Sequence, residues 1–281
     1  MHTLVHKFFF GCVTLLPLAA TLSPVLHAQE DGPPKVLVVD REYLKPGKGG
    51  VLHERSESAF IHAFADAKSS SPYIAVDSLS GPSRSLFLYG YDSFADWEKE
   101  TATIRSNQAL SAKLDQAAQL DGDLLSSYDR MAMTLRPDLS LNQGHIAGAR
   151  YFEVTTFVVK PGHSHDFTEL AKMYIDAYRK VAPETHWDTF EMMYGNPSPT
   201  IVGGAVFVVF NTMKSLAETD ASLRSSDKFS TELGASGMQK VSELTAASIE
   251  ATSTSLFAIN PRMSNPRSEW VKNEPDFWKA K

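Results

Sequence analysis

The chain has 281 residues, of which 43% are hydrophobic and 21% charged, and its formal net charge is -6 at pH 7. This balance is typical of a folded globular protein and excludes a wholly disordered or fibrous chain. A net negative charge without any Lys/Arg-rich block also argues against a nucleic-acid partner.

Residues 1–28 are predicted to be a secretory signal peptide. They hold one Lys, no acidic residue and a long apolar run interrupted by proline, and they end on Ala28 before the polar sequence QEDGPP. The only cysteine, Cys12, lies inside this segment; lipid attachment there is the lesser alternative, because little apolar sequence precedes it. No later segment has the ~20 apolar residues that a membrane span needs. The sequence therefore predicts an exported protein, periplasmic or extracellular, with residues 29–35 as a flexible lead-in.

Residues 36–140 are predicted to form the first of two similar units. Period-two alternation and β-branched residues indicate its strands, and apolar residues three and four apart indicate its helices. The first helix should bury Leu52, Ala59, Phe60 and Ala63. The predicted elements are a strand at 36–43, a helix at 51–67, a hairpin of strands at 73–79 and 85–91, a helical stretch at 93–125 and a strand at 128–135. This β-α-β-β-α-β order is the split βαβ arrangement.

Residues 151–264 are predicted to repeat that order. The triplet KPG at position 45 recurs at position 160, which sets an offset of 115 residues. Residues 141–150 read as the linker between the two units. The tail, 265–281, carries Trp270, Phe277 and Trp278 among charges, so it is expected to dock on the body; an exposed, partner-binding tail is the alternative.

A single unit of this kind leaves one sheet face bare, and that face needs a partner. Here the chain resembles the dimeric α/β-barrel superfamily, in which two ferredoxin-like units enclose an eight-stranded barrel, and it is similar to antibiotic-biosynthesis-monooxygenase-like and NIPSNAP-like proteins. The resemblance rests on the element order and the internal repeat over about residues 36–264. It implies an α+β fold in which two tandem ferredoxin-like β-α-β-β-α-β repeats pair their sheets into one intramolecular α/β barrel, as a pseudo-dimer in a monomeric chain.

Acidic and aromatic side chains recur at matching positions of the two units. Asp77 and Glu191 each follow an aromatic residue, Tyr73 or Trp187, by four positions, and period-two alternation puts each acid on the same face as its aromatic. The strand pattern also places Val38, Asp40 and Glu42 toward the barrel interior, and Phe152 and Val154 under the helices. The predicted ligand pocket, inside the barrel, is therefore lined by Tyr73, Asp77, Tyr89, Glu153, Trp187 and Glu191.

Two functional interpretations of these acids stay open. They can simply face water or pair with an arginine such as Arg130. Alternatively, aromatic walls hold a small hydrophobic or aromatic ligand and a carboxylate exchanges a proton with it. The favoured prediction is a binding protein without assigned turnover. The alternative, which only the resemblance implies, is a monooxygenase-like enzyme that is cofactor-free or uses haem.

Metal and nucleotide chemistry find no support in the sequence motifs. G-x-S-x-G, H-E-x-x-H, a P-loop and a strand-linked G-x-G-x-x-G are absent from the sequence. His163, His165 and His186 suggest a metal site, but the split βαβ order puts the first two and the third at opposite ends of the sheet. The sequence therefore predicts no metal site.

Overall fold

The structure is a computed structural model that describes residues 32–144, 146, 148–195 and 204–279, with the side chains of 224–226 left out. The predicted signal peptide, with Cys12, lies outside the described residues. The strands are β1 (Val36–Leu44), β2 (Ile74–Ser78), β3 (Arg84–Tyr91), β4 (Leu125–Leu135), β5 (Tyr151–Val159), β6 (Asp188–Tyr194), β7 (Val206–Met213) and β8 (Ile249–Ile259). The helices are α1 (Val51–Asp66), α2 (Phe94–Ser106), α3 (Gln108–Gly122), α4 (Ser164–Val181), α5 (Ala217–Ser248), α6 (Ser268–Asn273) and α7 (Pro275–Trp278).

The strands form one closed antiparallel barrel, so the predicted α+β barrel is confirmed. Around the barrel the order is β1-β3-β2-β8-β5-β7-β6-β4. The first half therefore contributes β4-β1-β3-β2 and the second contributes β8-β5-β7-β6. The two halves join where β2 pairs with β8 and where β4 pairs with β6. Closure removes the sheet edges that would otherwise expose unpaired backbone groups.

Apolar side chains from all eight strands fill the barrel interior. Alternate residues of each strand meet in one buried cluster to which α1–α5 contribute no buried member. The cluster includes Leu37, Val39, Ile74, Val76, Leu86, Leu88, Met131, Met133, Phe152, Val154, Phe190, Val206, Val208, Phe210, Phe257 and Ile259. Since a closed barrel has one enclosed face, every other residue along each strand points outward, toward the helices.

The sequence-based assignment of strand faces is therefore wrong. Phe152 and Val154 point into the barrel, while Asp40, Asp77 and Glu191 lie on the outer face. The physical reason is that both faces of these strands are covered, one by the opposite wall of the barrel and one by helices. Hydrophobic alternation cannot distinguish two covered faces. The fully enclosed interior takes the apolar set, and the acids fall under the helices.

The outer face of each half is covered by two packed helices. On the first half α1 packs beside α3, and Phe64 and Leu110 meet Phe87 of the sheet. On the second half α4 packs beside α5, and Phe167 stacks on Phe207 with ring centroids 4.6 Å apart. None of the described helices is long and apolar enough to cross a membrane.

The buried face of helix α1 differs from the apolar face that the sequence predicted. Ala63 is buried as predicted, but the other buried residues are His53, Glu57 and Phe64, while Leu52 is 42% exposed. The predicted stripe followed the apolar residues alone. In the structure two polar side chains, four residues apart, take the buried face because polar partners from β1 and α3 meet them there.

The C-terminal tail packs over one end of the barrel. Trp270, Phe277 and Trp278 contact the interior cluster. Arg150, just before β5, donates two hydrogen bonds to Glu274 at 3.0 and 3.1 Å. The same guanidinium lies 3.8 Å from the centre of the Phe277 ring, a cation–π contact that fixes the tail.

Candidate functional site

A concave site lies between the outer face of the first-half sheet and α1–α3. This first-half cleft has a volume of about 570 Å³, within the range of small-molecule sites. Aromatic and charged side chains line it in equal number, and the aromatic wall includes Tyr73, Phe87, Tyr89, Tyr91, Trp97 and Tyr128.

Tyr73 contributes a hydroxyl group to this aromatic wall, and the described residues do not satisfy its hydrogen bond. Its ring lies 5.1 Å from that of Tyr89, centre to centre, and its residue is 3% exposed. The Tyr73 hydroxyl is buried, and no described residue forms a hydrogen bond with it. Burial raises the pKa of Tyr73 above its usual range, and the charges of Glu57 and Glu42 raise it further. The hydroxyl is therefore a neutral donor that a ligand oxygen can satisfy.

Four titratable side chains meet at the floor of this cleft. They are Glu42 from β1, His53 and Glu57 from α1, and Asp121 from α3, and together we call them the His53 cluster. Nε2 of His53 lies 2.9 Å from Glu42 Oε2, 3.5 Å from Asp121 Oδ1 and 3.8 Å from Glu57 Oε1. The four residues are between 1% and 8% exposed, so water screens their charges little.

A second set of hydrogen bonds holds the other side of the His53 ring. Ser85 Oγ, on β3, donates to Asp77 Oδ1 at 2.5 Å and lies 3.4 Å from Nδ1 of His53. Asp77 also accepts a hydrogen bond from the Asn260 amide at 2.8 Å. A carboxylate behind a histidine fixes the orientation and tautomer of the ring.

Burial and like charge shift the protonation of the His53 cluster. Burial raises the pKa of Glu57 well above its ordinary value, and the charges of Glu42 and Asp121 act in the same direction. Burial raises the pKa of Glu42 as well, although its hydrogen bond with His53 opposes the shift. Burial tends to lower the pKa of His53, but the hydrogen bond and charge of Glu42 and the charge of Asp121 outweigh it, so the pKa is raised. The cluster is short of positive charge and retains protons or attracts a cation.

Two arginines near the cleft, Arg130 and Arg41, already have partners. Arg130 pairs with Asp40 through two nitrogens, one contact being Nη2 to Oδ2 at 2.7 Å. Arg41 pairs with Asp129 at 2.5 Å. Asp40 is thus a paired acid on the cleft wall and differs from the carboxylates of the His53 cluster.

The structure brings together some of the six residues predicted to line a pocket and separates others. Tyr73 and Tyr89 line the first-half cleft, and Asp77 lies behind His53. Trp187 lines a different cleft, on the second half. Glu191 pairs with Arg136 at 2.7 Å. The sixth, Glu153, lies outward on β5 and is partly exposed.

The second-half cleft, between the outer face of β5–β8 and α4–α5, is apolar. Its volume is about 370 Å³, and its aromatic residues are Phe157, Phe167, Tyr174, Tyr178 and Trp187. Its described lining contains no acidic, basic or histidine side chain. It offers shape and rings but no acid–base group.

The barrel interior itself leaves little room. A cavity of about 90 Å³ lies at the end covered by the tail, beside Phe152, Asp188 and Trp270. This volume holds a few waters. The predicted ligand pocket inside the barrel is therefore wrong in its location.

Haem does not fit the residues of these clefts. Haem iron takes an axial ligand from His, Cys, Met or Tyr, and the described walls of both clefts hold no His, Cys or Met. Burial raises the pKa of the wall tyrosines Tyr73, Tyr89, Tyr91, Tyr128, Tyr174 and Tyr178, which disfavours tyrosinate. Nε2 of His53 faces carboxylates instead of the cleft.

The His53 cluster was not identified from the sequence, which drew attention to other histidines. His163 pairs with Asp166 at 2.8 Å, and His186 Nε2 lies 2.8 Å from the Thr212 carbonyl oxygen. One signal was available: His53 and Glu57 are four residues apart, on one face of a helix. Asp121 carries no comparable signal, because it reaches the cluster only through the packing of α3 on α1.

The comparisons with known proteins concern the fold. No family model matches the chain, and no curated protein matches it. An anthrone oxidase-like protein of known structure superposes with a TM-score of 0.50 at 14% identity, over 80% of this chain and 92% of that one. A proposed monooxygenase from Lactobacillus acidophilus gives 0.45 at 7% identity, over 81% and 94% of the two chains. Chlorite dismutase from Candidatus Nitrospira defluvii gives 0.42 at 10% identity, over 85% and 95%. At 14% identity, the superposition on the anthrone oxidase-like protein shows a likeness of fold alone.

Proposed function

We propose that the protein binds a small aromatic molecule in the first-half cleft, with the Tyr73 hydroxyl donating a hydrogen bond to an oxygen of that molecule. The observation that carries the proposal is a buried donor, on a wall of aromatic rings, for which the described residues provide no acceptor. Burying an unpaired hydroxyl costs about 1–3 kcal/mol. A ligand oxygen that accepts a hydrogen bond from it removes this penalty and so favours binding.

The shape of the cleft supports a flat, ring-bearing ligand. Tyr91 and Trp97 lie with ring centroids 6.4 Å apart and planes 30° from parallel, and both line the cleft. Aromatic pairs add about 0.5–1.5 kcal/mol beyond area burial. Phenols, naphthols and quinones combine a ring with the oxygen that Tyr73 requires.

A monooxygenase-like reaction on the bound ring is the second candidate. Glu42, Glu57 and Asp121 line the cleft floor, so a carboxyl with a raised pKa lies where a phenolic proton would be exchanged. The name of one structural neighbour, the anthrone oxidase-like protein, is compatible with this chemistry. Such a reaction would proceed without haem.

Ligand binding is tested by filling each cleft in turn. Ala118 on α3 lines the first-half cleft, and Ala171 on α4 lines the second. Ala118→Trp should weaken binding of a naphthol, followed by quenching of Trp97 fluorescence, by more than about tenfold, the equivalent of 1.4 kcal/mol. Ala171→Trp is the matched control and should leave the affinity unchanged.

Tyr73→Phe keeps the ring and removes only the donor. It should weaken binding of a naphthol about fivefold, the value of one hydrogen bond, and leave binding of naphthalene unchanged.

Equal affinities in the wild type and Ala118→Trp would show that the cleft is not the site. Oxygen uptake with a panel of phenols then separates turnover from binding alone: uptake abolished by Ala118→Trp supports the enzyme, and saturable binding without uptake supports the binding protein.

We further propose that the two halves are tandem ferredoxin-like repeats, that one chain closes one barrel as a monomer, and that the chain is exported with cleavage after Ala28. The 115-residue offset aligns the starts of β1 and β5, at positions 36 and 151. The intact mass of material recovered from the periplasm or medium should correspond to a chain beginning at Gln29. Retention of Met1 would contradict export by a cleaved signal peptide.

A further inference from the structure

We propose that the His53 cluster binds one divalent first-row transition-metal ion, held by Nε2 of His53 and carboxylate oxygens of Glu42, Glu57 and Asp121. The ion would lie on the floor of the first-half cleft. The inference goes beyond aromatic binding and does not depend on it, because the ion-binding atoms are separate from the aromatic wall.

The first support is the spacing of the four donor atoms. One ligand atom from each residue lies within 4.8 Å of all the others, and the three distances from Nε2 run from 2.9 to 3.8 Å. Donors that share an ion at ~2.1 Å lie roughly 3 Å apart at right angles and roughly 4 Å apart when opposite. The three distances from Nε2 fall in or near this range, and the 4.8 Å limit on the remaining pairs lies slightly above it, so the carboxylates draw together by a fraction of an ångström to share one ion.

The second support is the direction of the protons on the His53 ring. Asp77 is an acceptor, so the Ser85 hydroxyl gives its proton to Asp77 at 2.5 Å. The oxygen of Ser85 is then the acceptor for Nδ1–H of His53, 3.4 Å away. Nε2 then faces the three carboxylates, with Glu42 Oε2 at hydrogen-bond distance. An ion bound at this point takes the place of the Nε2 proton, which is released on binding.

The third support is a pair of buried carboxylate oxygens that no donor from another residue satisfies. Among the described residues no N–H or hydroxyl group donates to Glu57 Oε1 or Asp121 Oδ1, and the two carboxyl groups are left to share a proton with each other. Their residues are only 3% and 2% exposed. His53 is the only cationic partner found for either acid in the described ion pairs. Three buried carboxylates against one imidazole leave a deficit of positive charge that a divalent ion would balance.

The donor types narrow the choice of ion. An imidazole nitrogen disfavours Ca²⁺ and Mg²⁺, which take oxygen ligands. The absence of a thiolate or thioether among the four donors disfavours Cu⁺. One nitrogen with three carboxylate oxygens suits Mn²⁺, Fe²⁺ or Zn²⁺. Glu42, Glu57 and Asp121 also line the cleft, so an open coordination position would face an incoming molecule.

The second half supplies an internal comparison. Positions 115 residues after Glu42, His53 and Glu57 hold Phe157, Thr168 and Lys172. A ring, a hydroxyl and a cation replace the donors there, so the second half lacks the set. Thr168→Ala is therefore a matched control for changes at His53.

The test uses the mature chain stripped with EDTA and titrated with Mn²⁺ and Zn²⁺ by calorimetry, with metal content measured after gel filtration. The wild type and Thr168→Ala should bind about one ion per chain. His53→Ala, Glu57→Gln and Asp121→Asn should each weaken binding at least about 100-fold. Asp77→Asn, which touches the ring only through Ser85, should weaken it about tenfold, as outer hydrogen-bond partners of metal ligands do.

Far-UV circular dichroism checks that each variant folds. If His53→Ala fails to fold, the metal affinities of Glu57→Gln and Asp121→Asn test the proposal, since these variants keep the shape of the side chains. A wild type that binds neither ion, or variants with wild-type affinity, would overturn the metal site and leave a cluster that only shares protons. Naphthol binding measured in EDTA tests the aromatic cleft separately, so the two proposals can fail independently.

Discussion

Asp188, the first residue of β6, is a partly buried acid beside the small cavity at the barrel end. Its Oδ1 is buried and has no hydrogen-bond partner in the part of the chain that the structure describes. Burial raises the pKa of Asp188 from 3.8 to about 6, against a backbone hydrogen bond from Gly144 that lowers it. The folded protein therefore holds a proton that the unfolded chain releases, and this acid makes folding less favourable as pH rises from about 4 to about 6.

Asp188→Asn should raise the free energy of unfolding at pH 7.5 by on the order of 2 kcal/mol and leave it nearly unchanged at pH 4. Urea denaturation at the two pH values measures the difference. A variant that is less stable at pH 7.5 would contradict the pKa shift.

Asp138 is a control of opposite sign. Its hydrogen bonds with Arg136 lower its pKa, so its contribution to stability is present above the unfolded pKa and is lost as pH falls. Asp138→Asn should reduce stability at pH 7.5, and the reduction should vanish in acid.

At the residue scale the sequence predicted part of the candidate site. Tyr73 and Tyr89 do line a cleft, because aromatic residues at strand positions need a covered face whichever face it is. Asp77 was singled out by its match to Glu191, yet the two have different partners: Asp77 accepts from Ser85, and Glu191 pairs with Arg136. Partners of this kind come from other strands or from loops, and a repeat alignment does not identify them.

At the element scale the end of β6 is a position where only glycine fits. Gly195 has φ +79°, and a Cβ there would lie 2.1 Å from the carbonyl oxygen of Arg130 on β4. This contact is at the β4–β6 pairing, one of the two seams between the halves. Gly162 has a similar φ of +82° but open space around its Cβ position.

Gly195→Ala should therefore destabilise the fold by more than about 3 kcal/mol, because a backbone clash adds to the left-handed strain. Gly162→Ala should cost only about 1 kcal/mol, from the strain alone. Thermal unfolding of both variants makes the comparison. Equal losses would mean that the seam relaxes around the added methyl group.

Most elements were predictable, and the exceptions have local causes. The helix predicted over 93–125 is interrupted at Asn107, whose side chain accepts from the Leu110 backbone N–H and starts α3 separately from α2. Strand β4 begins at Leu125, three residues before its predicted start. The sequence composition predicts where the strands are. It does not predict which face of each strand points into the barrel, because helices cover the outer face and the opposite wall covers the inner face.

At the scale of the whole molecule, closure of the barrel depends on both halves. Residues 36–140 alone would expose the inward side chains Leu37, Val39, Ile74, Val76, Leu86, Leu88, Met131 and Met133, all buried in the full chain. An exposed apolar sheet face of this size drives association. The fragment should elute on gel filtration as a dimer or larger species, while residues 29–281 elute as a monomer. A soluble monomeric fragment would contradict the dependence of one half on the other.

The difference between the two outer clefts follows from how this barrel is closed. In a barrel made by two identical chains, each substitution occurs on both sides at once, so a buried acid that suits one cleft is imposed on the other. A single chain is free of that constraint. Glu42 and His53 can remain on one side while Phe157 and Thr168 occupy the other, and each side can then diverge under its own selection. Broken symmetry of this kind allows one half to carry the chemistry while the other serves chiefly to complete the wall.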